Sequence, residues 1–185
     1  MPIRIPSFLH DILGESQTLG EMITIVFLSV SLATTLFVAF PEMTQDISLW
    51  RRITAYLLIL DIVAGCIANF TRSTSNHYAA RSRERWIFIA IHVHLLLIAG
   101  LLGMGLGHAL IVWSYTTIAA LVVNALHGSR FQLFTAGSLL VAGIAIAVLG
   151  VAVPNYFLVI SLLFMVKVLF SFAVDHYHQI DPTAK

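Results

Sequence analysis

Met22–Phe40 reads MITIVFLSVSLATTLFVAF, nineteen residues without a charge, and Pro41 follows. A helix that crosses hydrocarbon needs roughly 20 predominantly apolar residues, with a range of about 17–25. This run meets that length, and five more stretches resemble it: Ile53–Phe70, Trp86–Leu106, His108–Leu126, Phe131–Val153 and Tyr156–Val174. Each boundary has a marker. Trp50, Arg51 and Arg52 precede the second run, Trp86 opens the third, and Gly103, Gly105 and Gly107 turn the chain into the fourth. His127-Gly128-Ser129-Arg130 and Pro154-Asn155 make the last two breaks. The expectation is an all-α, polytopic integral membrane protein: one domain over residues 1–185, built as a bundle of six transmembrane helices.

Composition agrees. The 185 residues are 59% apolar and 10% charged, with mean hydropathy +0.93, whereas a soluble domain carries about 25% charged residues. A net charge of +1 gives no basic surface for nucleic acid. The single cysteine, Cys66, excludes an internal disulfide and any cysteine-built zinc or iron–sulfur cluster, and on its apolar run it reads as packing. No internal repeat and no GxSxG, HExxH, P-loop or GxGxxG signature is present.

The first nineteen residues differ from the spans. Ile5, Phe8, Leu9, Ile12 and Leu13 share one helical face, Ser7 can cap the start and Gly14 can close it. This predicts a short amphipathic helix on the membrane surface rather than a secretory signal. Orientation follows from the cations. Arg4, Arg72, Arg81, Arg83, Arg85, Arg130 and Lys185 fall on one side of six crossings, and Arg51 and Arg52 on the other. That bias places both termini in the cytoplasm, in a cell (inner) membrane.

Ionisable residues inside spans are costly and face a bundle interior or a water-filled cavity. At a rise of about 1.5 Å per residue, Asp61 lies ~14 Å, Lys167 ~12 Å, and His92 and His94 ~9–12 Å from the cytoplasmic surface. These groups from three helices reach one layer. Because His92 and His94 are two apart, a continuous helix turns at most one inward, and the deeper His94 is the better candidate. Asp61, His94 and Lys167 are therefore the candidate proton-handling or catalytic groups. Two stripes at i, i+4, i+8 run from them toward the cytoplasm: Asp61, Gly65, Asn69 and Lys167, Ser171, Asp175. Asn124 and His127 extend a third on the fourth span.

The loop above, Thr71–Arg85, adds Arg72, His77, Tyr78 and Arg81, whose guanidinium groups suit a phosphate or carboxylate. The tail adds His176. A metal set of His77, His127, Asp175 and His176 is conceivable on donor type, but its spacing defines no site, and no metal or other cofactor is assigned. The candidate ligand-binding residues are thus Asn69, Arg72, His77, Tyr78, Arg81, His92, Asn124, His127, Ser171, Asp175 and His176. A bis-histidine haem lacks a second histidine at the depth of His94. Ala136, Gly143 and Gly150, seven apart, form a small-residue face that suits an internal seam or a homo-oligomer contact.

Three functions fit a polar layer open to the cytoplasm: transport or binding of a proton, ion or small ligand; an intramembrane enzyme acting on a lipid or isoprenoid; and an accessory subunit of a larger membrane complex. Beyond the bilayer itself, the expected partner is a small-molecule, ion or lipid ligand. The outer halves of the spans are almost wholly apolar, which gives transport no resting route across.

Overall fold

The computed structural model describes residues 2–177, and the described part is helical apart from one small strand pair. Lys185 lies outside it, as does the side chain of Leu9. In chain order the long elements are α2 (Leu19–Ala39), α3 (Leu49–Ala68), α4 (Arg72–Ala79), α5 (Ser82–Ile91), α6 (His94–Leu101), α7 (Leu106–Ala125), α8 (Gln132–Leu149) and α9 (Asn155–Met165). A π-helical stretch, Val166–Phe172, continues α9. Five segments are long and apolar enough to cross a membrane: α2, α5 with α6, α7, α8, and α9 with its π extension. Helix α3 carries Arg51, Arg52 and Asp61 and qualifies only together with α4, from which it is bent by 88°.

Polar contacts sort the helix ends into two groups. At one end Arg51 donates to the Gly100 carbonyl (2.8 Å), His108 bonds the Val151 carbonyl (3.2 Å) and Ser161 (3.2 Å), and Tyr156 reaches Met104 (3.3 Å). At the other, Arg85 donates to the Ala173 carbonyl (3.0 Å), as does Gln132 (3.0 Å). Between them lies a buried apolar core that includes Ile59, Leu95, Ile98, Phe157 and Phe164. The small-residue face packs internally. Ala136 and Ala147 are buried, and a Cβ on Gly143 would strike the Met165 sulfur and the Tyr115 ring. Gly150, by contrast, is exposed.

The N-terminal segment is more folded than an amphipathic helix. Strands β1 (Pro2–Arg4) and β2 (Ser16–Thr18) pair antiparallel, with Ile3 opposite Gln17. Between them run a 3-10 turn, Ser7–Leu9, and a single helical turn, α1 (His10–Leu13). Pro6, not Ser7, precedes the 3-10 turn, and Gly14 closes α1 at φ 69. A Cβ on Gly14 would overlap the Ser73–Thr74 backbone, so glycine lets the clasp lie directly on α4. Gln17, 1% exposed, bolts it there by donating to Thr71 Oγ1 at 2.8 Å. A Thr18–Glu21 capping box then starts α2.

Candidate functional site

Asp61 lies midway along α3, and Lys167 reaches it from the π-helical stretch. The ammonium donates to Asp61 Oδ2 at 2.6 Å and to the Asp61 carbonyl at 3.3 Å. Gly65, one turn along α3, makes room for it: a Cβ there would collide with Lys167 Cε and lie 3.1 Å from Nζ. The pair is unevenly covered, with the Lys167 side chain 4% exposed and that of Asp61 38%. Nε2 of His94 lies 3.4 Å from the same Asp61 oxygen. A carboxylate favours the proton on that nitrogen, which leaves Nδ1 as a lone pair; no described residue bonds Nδ1.

The expectation that only one of His92 and His94 turns inward is overturned, because the helix carrying them is not continuous. It breaks between α5 and α6, where His92 has ψ 78. The carbonyl of His92 leaves the helical ladder and accepts from Trp113 Nε1 at 2.9 Å. Insertion of a side chain into the ladder is a recognised cause of such breaks. Both rings consequently line the same cavity, with centroids 5.0 Å apart. His92 Nδ1 donates to the Phe88 carbonyl (2.6 Å), so its neutral form keeps the lone pair on Nε2.

The cavity measures about 550 Å³. Asp61, Asn69, His92, His94 and Lys167 line it, together with Ser7 and His10 from the clasp, His77 and Tyr78 from α4, Arg81 from the link and Glu84 from α5. Farther along the same helices, away from the clasp, Ile59, Ile98 and Phe164 are buried at 1%, 0% and 0% exposure, and none of them lines the cavity. Behind it Phe88 stacks on Phe172 at 3.7 Å and Tyr78 meets Phe172 edge-on at 4.7 Å.

Six expected ligand-binding residues line other parts of the molecule. Arg72 stands over the Tyr177 ring at 6.0 Å. His127 is bonded by Arg85, a buried arginine that no sequence motif marks. Asn124 is buried on α7, away from the cavity wall. The stripe Lys167, Ser171, Asp175 does not extend the cavity wall: of the three only Lys167 lines it, and Asp175 lies beyond the π-helical stretch, which ends at Phe172. Ser171 instead donates to the Lys167 carbonyl (2.9 Å), and the Asp175 amide donates to Gln132 Oε1 (3.2 Å). His176 bonds the Phe170 carbonyl (3.1 Å), and burial holds its imidazole below the ordinary value, partly offset by that bond. Cys66 packs as expected, donating to the Leu163 carbonyl at 3.0 Å.

The structure separates the conceivable metal set, leaving His77 beside the clasp and His127 and His176 with other partners. His10, Glu15 and His77 do bring donor atoms within 4.8 Å of one another. Arg81 already supplies positive charge there, bonding His77 Nδ1 at 2.9 Å and lying 3.4 Å from Glu15. The Arg81 guanidinium thus already meets two of these three donors. Comparison with protein-family models, with curated proteins and with solved structures returns no match.

Proposed function

We propose that this is a six-pass membrane protein with a one-sided binding cavity that takes a small ligand from the cytoplasmic leaflet and exchanges a proton with it. The two groups of helix ends support six crossings, with α3 as the crossing that holds the charged cluster and α4 lying along the surface. The clasp end carries Arg72, Arg81, Arg83, Arg85 and Arg130, and the far end Arg51 and Arg52. This bias supports a cytoplasmic clasp and cytoplasmic termini. Exposed Phe8 (78%) and Ile12 (45%) support a clasp that dips into the headgroup layer.

The observation that carries the functional reading is the Asp61–Lys167–His94 cluster in the cavity wall. A charged group that only locks helices together has no need of open volume beside it. Here His94 and Asp61 are the proton-exchanging pair, and Lys167 holds the counter-charge. The apolar layer under the cluster favours binding over passage across the membrane.

Native mass spectrometry of the gently extracted protein tests this. The wild type retains a discrete small-molecule adduct, and the folded Asp61→Asn/Lys167→Met double variant loses it. Equal adducts in both, or none in the wild type, overturn the reading. A second reading, an intramembrane enzyme acting on a lipid at the same leaflet, is favoured by the two neighbouring imidazoles with lone pairs on opposite nitrogens, which suit proton abstraction and return. Turnover of an extracted lipid that is lost on His92→Gln distinguishes it from binding alone.

A further inference from the structure

The cavity has a second kind of wall that the proton-exchange reading does not use. Ile87 and Ile91, one turn apart on α5, and Ile12 of the clasp all line it, yet they are 47%, 62% and 45% exposed. Helix α5 belongs to a segment long and apolar enough to cross a membrane. An isoleucine on such a helix that faces both the cavity and the outside marks a rim where the cavity meets acyl chains rather than water. The floor opposite this rim is polar.

The charges on the described lining residues cancel. Lys167 is paired with Asp61 at 2.6 Å, and Arg81 with Glu84 at 3.6 Å and with Glu15 at 3.4 Å. With each lining cation paired, a phosphate or carboxylate would have to compete with Glu15 and Glu84 for Arg81. A buried donor also faces the cavity. Asn69 lines the cavity at 5% exposure, and its Nδ2 has no hydrogen-bond partner among the described residues. A buried donor without a partner carries a penalty that an acceptor on a ligand removes.

Resting on the binding reading above, we propose that the ligand is an uncharged amphiphile: an isoprenoid or acyl chain with a hydroxyl or carbonyl head. The head enters sideways from the bilayer between α5 and the clasp, accepts from Asn69 and meets His92 and His94. The tail leaves over Ile12, Ile87 and Ile91 and stays in lipid. The cavity, at about 550 Å³, falls within the range of roughly 300–1,000 Å³ usual for small-ligand sites. It therefore holds the head and the first part of a chain, not a whole lipid.

Photolabelling in proteoliposomes tests the proposal with two probes that differ only at the head: farnesol bearing a diazirine in its tail, and the same chain as its phosphate. The alcohol is expected to label α5 peptides, to be competed by unmodified farnesol, and to outcompete the phosphate. The Ile91→Trp variant, which narrows an exposed rim position without touching the core, lowers that labelling by about tenfold. Asn69→Leu, which removes the donor, lowers it as well, and thermal melting reports whether each variant is folded. Equal or stronger labelling by the phosphate overturns the neutral head. Labelling that is indifferent to Ile91→Trp overturns the side entrance. A native adduct that persists in wild type while neither probe labels α5 overturns this proposal and leaves the binding cavity standing. Absence of both adduct and label removes the two together.

Discussion

Two polar clusters occupy the same half of the bundle, and they solve the problem of buried charge differently. Around Arg85, 2% exposed, the buried groups find partners within the protein: the guanidinium bonds the Ala173 carbonyl and the exposed His127, and Gln132 bonds the Ala173 carbonyl from the other side. Around Asp61 the pairing is as tight, with Lys167 at 2.6 Å, but the carboxylate keeps 38% of its side chain open to a cavity, and His94 and Asn69 keep unpartnered nitrogens. The first cluster ties α5, α7, α8 and the end of the last helix into one unit. The second leaves valences and volume unused. In a membrane bundle, then, a charged residue is not diagnostic by itself; the space beside it is.

This contrast can be broken by substitution. The largest effect is expected for Asp61→Asn, which strands the Lys167 ammonium at 4% exposure. Removing one partner of a buried pair costs about 3–5 kcal/mol. Lys167→Met should cost less, because the carboxylate left behind is open to the cavity, and the double variant should recover most of the loss. Thermal melting of the three variants checks the order, and equal losses from the two single changes would refute the asymmetry.

Arg85→Met comes next. It removes a charged donor from the Ala173 carbonyl, which keeps Gln132, and from the exposed His127, a loss of about 1.5–3 kcal/mol on the scale for hydrogen bonds to charged groups. Melting should drop while adduct retention in the folded fraction stays unchanged, since Arg85 does not line the cavity. Loss of the adduct without loss of stability would merge the two clusters into one site.

Gly65→Ala should be milder for stability and harsher for binding. Its methyl group displaces Lys167 from Asp61, with overpacking of about 1–3 kcal/mol. Smallest of all, Cys66→Ala removes one weak bond to Leu163 O, about 1 kcal/mol by the usual hydrogen-bond scale, and leaves ligand retention intact.

Much of this was legible in the chain, for identifiable reasons. Span lengths follow from apolar runs, so the ends of α2, α7 and α8 fall within a few residues of the expected ones. The common depth of Asp61, His94 and Lys167 follows from rise per residue alone. The stripe Asp61, Gly65, Asn69 holds because α3 is regular across it, and all three line the cavity. What escaped was irregular backbone. No proline or glycine marks the break at His92–Val93; it depends on Trp113, twenty-one residues away in sequence, accepting the role of donor. The π-helical stretch that ends at Phe172, short of Asp175, is equally silent in the residue pattern. In the sequence the clasp has the pattern of a helix because Ile5, Phe8 and Ile12 fit one face, while the strand pairing that frames them is accompanied by contacts with α4.

The central claim is that the Asp61–His94–Lys167 cluster opens to one side only, at the clasp end. The single native cysteine makes this directly measurable. In a Cys66→Ala background, His94→Cys should react with a membrane-impermeant thiosulfonate applied to the cytoplasmic face and stay unmodified when the reagent is applied to the opposite face. Modification from the opposite face, or from neither in a folded protein, would contradict the account.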